Sequence, residues 1–138
     1  MVESPVAWWK FDEAQGDLAR DAISSHEHTI QGHKSLWKQG VSGTALAFDG
    51  YSSQIAVPEG EAPNLGSSFT IDAWVVLGAY PWDSAPIIHH STECGEDGYY
   101  LGFDSLGRVL FVVNGTGITS PDRLPLNQWL HLVGAYGG

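Results

Sequence analysis

The sequence predicts an all-β fold, a two-sheet antiparallel β-sandwich of jelly-roll type, and three observations point to it. Apolar residues recur at period two, and no stretch carries the i, i+3, i+4, i+7 spacing of an amphipathic helix. Seventeen glycines accompany six Trp, five Tyr and five Phe, the mixture expected of tight turns and flat apolar faces. Turn-forming clusters separate the alternating runs.

Taken in chain order, Val6 to Phe11 reads as a short strand with Ala7, Trp9 and Phe11 on one face. Thr44 to Asp49 places Leu46 and Phe48 together, and Asp49-Gly50 turns the chain into Gln54 to Val57. Phe69, Ile71, Ala73 and Val75 alternate with Thr70, Asp72, Trp74 and Val76, as in a strand covered on at least one side. Tyr99, Leu101 and Phe103 form the next stripe, and Asp104-Ser105-Leu106-Gly107-Arg108 turns into Val109 to Val113. Trp129, His131, Val133 and Ala135 alternate with Leu130, Leu132, Gly134 and Tyr136. About seven strands result. The segments without strand pattern are Asp12 to Ser42 and Ala79 to Gly98, and a site is expected on these loops. Residues 1–138 read as a single domain of 138 residues, without internal repeat or linker.

Sixteen acidic residues against six Lys and Arg give a formal charge of −10, which argues against nucleic acid or anionic lipid as partner. Cys94 is the lone cysteine, so no internal disulfide forms. No signal peptide and no apolar run of membrane-spanning length is read in this sequence.

Several blocks carry a family resemblance. They are Val6-Ala7-Trp8-Trp9-Lys10-Phe11-Asp12-Glu13, Asp21, and Gly43-Thr44-Ala45-Leu46-Ala47-Phe48-Asp49-Gly50. Further along come Ser68-Phe69-Thr70-Ile71-Asp72-Ala73-Trp74-Val75, Gly98-Tyr99-Tyr100-Leu101-Gly102-Phe103 and Asn127-Gln128-Trp129-Leu130-His131-Leu132-Val133. In series they resemble a laminin G-like domain of the concanavalin A-like lectin/glucanase superfamily. Ala79-Tyr80-Pro81-Trp82 before Pro86-Ile87-Ile88 is similar to the modules attached to bacterial family 32 glycoside hydrolases. Such domains usually continue through a Tyr-Asp-Gly turn into another strand, whereas this sequence stops at Tyr136-Gly137-Gly138. The resemblance therefore implies a domain lacking its last strands.

A glucanase of this kind needs two carboxylates on one strand face, spaced as Glu-x-Asp-x-x-Glu, and no strand here has them. Glu59 and Glu61 are the nearest pair, in a turn that reads as solvated. Neither a nucleophile elbow nor a phosphate-cradling or dinucleotide motif is present, so no catalytic residue is assigned. His26-Glu27-His28, with His33 nearby, offers nitrogen ligands at strand spacing, although loop hydrogen bonds with solvent-exposed imidazoles explain the same residues. The resemblance implies calcium, with Asp12, Asp21 and Asp49 as candidate ligands and Asp72 a lesser one; each also has a local turn or backbone role available.

Sugar binding has the best compositional support, because aromatic rings stack on the C–H faces of sugar rings while polar neighbours bond the hydroxyls. Tyr80, Trp82 and Asp83 lie close together in one loop, and Trp37 stands near Lys34 and Lys38 in another. Capping an open end of the sandwich is the competing role for these rings. Trp8, Trp9, Trp74 and Trp129 read as packing residues, and His131 as core-facing or sheet-face. Asn114-Gly115-Thr116 fits both a glycosylation sequon and a hairpin turn. The expected function is a non-catalytic carbohydrate-binding module, its partners a glycan and a catalytic domain in the same polypeptide, its location secreted, periplasmic or cell-surface. The alternative is a structural or protein-interaction domain that orients a neighbouring catalytic domain.

Overall fold

The computed structural model describes residues 4–32, 36–91 and 98–137. The chain divides into two compact units, Met1–Gly66 and Ser67–Gly138. Among the described residues every strand pairing is antiparallel and there is no α-helix.

Unit 2, Ser67–Gly138, contains the longest strands. Its first strand, here β6 in chain order, is Phe69–Val75, followed by β7 (Ala85–Ser91), β8 (Gly98–Phe103), β9 (Val109–Val113), β10 (Thr116–Thr119) and β11 (Leu130–Tyr136). Four of them form one sheet in the order β10-β9-β8-β7, and β11 pairs with β6 as a ribbon in register His131↔Trp74 and Gly134↔Ile71. The layers close on Leu101, Phe111 and Val113, against which Phe69, Ile71 and Tyr136 of the ribbon pack. Gly134 permits this approach, since a Cβ there would lie 2.8 Å from the Phe111 ring. Alternation in β6 thus buries the face read from the sequence, and this unit is an antiparallel β-sandwich.

The turns of unit 2 follow local chemistry. Asn114 and Gly115, at φ 49° and 82°, form the two-residue left-handed turn that joins β9 to β10. The Asp104 carboxylate accepts the Leu106 and Arg108 amides at 2.9 Å and the Arg108 Nε–H at 2.8 Å. The backbone bond from Arg108 leads the interactions that hold Asp104 below the usual carboxylate range, against desolvation.

Unit 1, Met1–Gly66, has β1 (Leu18–Arg20), β2 (Glu27–Gln31), β3 (Leu36–Gln39), β4 (Thr44–Ala47) and β5 (Gln54–Ile55). A three-stranded sheet has the order β1-β2-β5, and β3 pairs with β4 as a hairpin. Along β2 the side chains of His28 and Ile30 are buried while Glu27, Thr29 and Gln31 are exposed. Glu59–Glu61 forms a short 3-10 turn.

Several sequence expectations fail. Val6 to Phe11 is not a strand; only Trp9 bridges to Asp21, and Phe11 turns left-handed at φ 57°. The two segments read as strandless carry β1, β2 and β3, and β7, whose short or polar runs and Pro86 bulge hide the alternation. Asp49-Gly50 does not close a hairpin, because β4 pairs with β3 and β5 pairs with β2. Of the tryptophans read as packing residues, Trp8, Trp74 and Trp129 are exposed. Trp74 lies on the face of β6 and β11 opposite Leu132 and Gly134, which point inward, and Trp129 immediately precedes β11.

Candidate functional site

The loop after β6 brings Tyr80, Trp82 and Asp83 together. Tyr80 is a pin: its hydroxyl donates to the Leu124 carbonyl at 2.6 Å, and the Arg123 guanidinium sits 4.7 Å from its ring centroid. Gly107 lies so close that a Cβ would stand 2.3 Å from the Tyr80 ring. The Asn127 amide bonds the Leu77 carbonyl at 2.8 Å on one flank of the loop, and Ala85 pairs with Phe103 on the other, while the Leu124 amide bonds the Gly107 carbonyl at 2.8 Å and holds together the two segments that Tyr80 touches. On this base Trp82 is 91% exposed. Asp83 accepts the Ser84 amide at 2.8 Å. Burial pushes the neighbouring Tyr100 phenol above its usual range; the Ser84 hydroxyl works against this and the Asp83 charge adds to it.

A second aromatic group was not legible as a site. On the outer face of the β6·β11 ribbon Trp74, 52% exposed, stacks on His131 with centroids 4.7 Å apart and planes 11° from parallel. His131 Nε2 lies 2.8 Å from Asp72 Oδ2. His131 is therefore a sheet-face residue bonded to a side chain. The register Val133↔Asp72 and the exposure of Val76, Val133 and Trp129 extend the patch. The available signal was parity: Asp72, Trp74, His131 and Val133 occupy the face opposite Leu132 and Gly134, and Val76 and Trp129 adjoin the ends of the two strands.

In unit 1, Trp37 is half-buried and its indole N–H donates to the Gly16 carbonyl at 3.0 Å. Lys34, named beside it, and His33 lie outside the described residues, as does Cys94. Asp12 Oδ1 accepts the Thr44 amide at 3.2 Å. Asp21, 3% exposed, accepts the Trp8 amide at 3.0 Å, the Ile23 amide at 2.9 Å and the Ser24 hydroxyl at 3.0 Å. Desolvation by burial is the largest influence on Asp21 and raises it, but these bonds together outweigh burial and hold the carboxyl below its usual range. Asp49 accepts the amides of Tyr51, Ser52 and Ser53 and both serine hydroxyls, with the Ser52 hydroxyl the leading cause of its strongly lowered pKa.

His28 is not solvent-exposed: it is 4% accessible, and its Nε2 lies 3.2 Å from Glu61 Oε2, while His26 Nε2 lies 3.9 Å from Glu61 Oε1. The His28 Nδ1 is buried without a partner, so the ring proton belongs on Nε2, donating to Glu61. A metal at Nε2 would move that proton to Nδ1, where nothing accepts it. Among the described residues no three His, Cys, Asp or Glu side chains form a group that could hold a metal ion.

The comparison with protein families decides the affiliation. Residues 49–138, more than half of the chain, match a laminin G-like family model described as the concanavalin A-like lectin/glucanases superfamily. The chain belongs to this superfamily. Neither a search of curated proteins nor one of solved structures returned a match. The superfamily match covers the whole Trp82 loop and the Trp74–His131–Asp72 face, and leaves residues before 49 outside it. Laminin G-like domains are generally non-catalytic modules, and this fold is compatible with glycan binding. No helix among the described residues is long and apolar enough to cross a membrane.

Proposed function

We propose that this superfamily member is a non-catalytic carbohydrate-binding module, acting in a secreted, periplasmic or cell-surface protein beside a polysaccharide-active catalytic domain. The observation that carries the reading is Trp82, 91% exposed on a loop that Tyr80 pins to the segment before β11. An open indole on a fixed base stacks on a sugar without first ordering its own loop, and Asp83 beside it can accept hydroxyl protons. The formal charge of −10 favours neutral glycans over uronates or sulfated chains. Calorimetric titration with fructan, arabinan, galactan and β-glucan tests this: binding to at least one, lost in Trp82→Ala, supports it. Flat titrations across the panel count against it.

A second reading has its own observation. The outer ribbon face exposes Trp74, Trp129, Val76 and Val133, an apolar surface that fits a contact with a neighbouring domain. It predicts no glycan binding, but loss of stability of the attached enzyme when the module is deleted.

A further inference from the structure

Among the described residues, Asp49-Gly50 and Asn114-Gly115 are the steps at which Asp or Asn precedes glycine, and both glycines hold left-handed backbone, at φ 81° and 82°. At this spacing the glycine nitrogen can attack the preceding side-chain Cγ and close a five-membered imide. Glycine suits the attacking role because no Cβ crowds its nitrogen. The two steps nevertheless differ in chemistry.

Asp49 is closed to the reaction. Its carboxylate accepts the amides of Tyr51, Ser52 and Ser53 at 2.9, 2.8 and 2.9 Å, and both serine hydroxyls as well. These bonds, led by the Ser52 hydroxyl, hold it ionised, and an ionised carboxylate has no neutral group to expel. Asn114 lacks that protection. With Gly115 it occupies the exposed tip of the β9–β10 hairpin, and a Cβ on Gly115 would meet nothing within 4 Å, so the attack has room. Asn114 Oδ1 accepts the Gly98 amide at 3.2 Å, which draws electrons from Cγ. Among the described residues nothing holds Asn114 Nδ2 or the Gly115 N–H. The other asparagines, Asn64 and Asn127, precede Leu65 and Gln128, whose side chains crowd the attacking nitrogen.

We infer that Asn114 is a self-modification site, at which the Gly115 nitrogen attacks Asn114 Cγ and the turn converts to aspartate and isoaspartate. The N–Cγ bond forms, the Cγ–Nδ2 bond breaks, and Nδ2 leaves as ammonia with the proton of the Gly115 amide. Water then opens the imide at either carbonyl. The net change is uptake of water and loss of ammonia, without oxidant or reductant. Unlike glycosylation of the same sequon, it needs no transferase.

The fold gives the modification a consequence. The Asn114 amide donates to the Gly98 carbonyl at 3.0 Å, and Thr116 pairs with Val113 across the turn. Isoaspartate routes the main chain through the former side chain and adds a methylene, which a two-residue turn cannot absorb in register. Among the described residues β10 pairs with β9 alone, so β10 is the strand released. Aspartate at 114 keeps the backbone and the acceptor for Gly98, and leaves β10 in place.

The folded whole chain, held for weeks at neutral pH and body temperature and then cut with trypsin, tests this. The peptide Val109–Arg123 should gain the mass of an acid in place of an amide and show isoaspartate on electron-transfer fragmentation. Conversion should run roughly fivefold or more ahead of Asn64 and Asn127, and Gly115→Ala should slow it roughly tenfold. The variant is also compared with the parent in urea, where a changed turn has no influence. In the aged protein, hydrogen exchange should show lost protection along β10 in the isoaspartate fraction alone, and Asp49 should show no isoaspartate. The inference is overturned if Val109–Arg123 stays unmodified in the folded chain while the urea-unfolded chain converts. It is overturned equally by conversion no faster than at Asn64 or Asn127, or by an unchanged rate in Gly115→Ala.

Discussion

Among the described residues, the strands of unit 2 reach seven residues and its buried apolar side chains are Leu101, Phe103, Phe111, Val113 and Leu132; in unit 1 no described strand exceeds five, and beside Ala19 and Ile30 the buried side chains are Asp21 and His28. The same antiparallel pairing is thus closed by apolar burial in one region and by hydrogen-bonded polar groups in the other. The difference teaches where each region is vulnerable. Apolar packing is insensitive to pH and intolerant of lost volume, whereas a buried carboxylate is sensitive to protonation and to the loss of its acceptor atoms.

The largest effect should come from Phe111→Ala, which empties the sandwich interior and is expected to cost about 3–5 kcal/mol. Hydrogen exchange should show the loss in unit 2 amides; protection there equal to the parent protein would break the contrast. Asp21→Ala should come next. It removes the buried acceptor of the part-buried Trp8 and Ile23 amides, at an expected cost of about 1 kcal/mol, with the exchange increase centred on residues 8 and 21–26.

Acid sharpens the same comparison. Because the Asp21 carboxyl is lowered from its ordinary 3.8 in the folded chain, its contribution is complete above that value and is lost as pH falls through the lower folded value. Unit 1 amides should therefore lose protection in acid while Asp21→Asn, which has no such titration, flattens that dependence. A parent and variant with identical acid profiles would assign the sensitivity elsewhere.

Smaller still, Trp82→Ala should leave stability within about 0.5 kcal/mol, since an exposed ring packs on little. A large fall in the melting temperature would show the ring to be structural. The smallest expected change is that of calcium or a chelator on the melting temperature, because Asp12, Asp21 and Asp49 already accept bonds from chain amides. A rise of several degrees with calcium would instead assign those carboxylates to the ion.

Legibility in the sequence differed between the units for the same physical reason. The stripes Phe69 to Val75, Tyr99 to Phe103, Val109 to Val113 and Leu130 to Tyr136 announce themselves because burial of one face imposes period two. The strands Leu18–Arg20, Glu27–Gln31 and Leu36–Gln39 bury few apolar groups and leave little such imprint. Of the candidate site, the cluster Tyr80-Trp82-Asp83 was readable as composition, but not that Tyr80 serves as the pin and Trp82 as the open ring. The Trp74–His131 stack was hidden because Trp129, His131 and Val133 alternate as convincingly as Leu130, Leu132 and Gly134.

By itself the sequence determined the all-β class, the superfamily, and the turns whose chemistry is local, such as Asn114-Gly115 and the Asp104 turn. Those features depend on neighbours a few residues apart, and residue type alone carries that information. Tertiary structure alone decided which face of each strand turns inward, that Glu61 meets His28 across 33 residues, and that Asp72 meets His131 across 59. Such contacts join side chains that are remote in the chain, and the pairing of the strands brings them together.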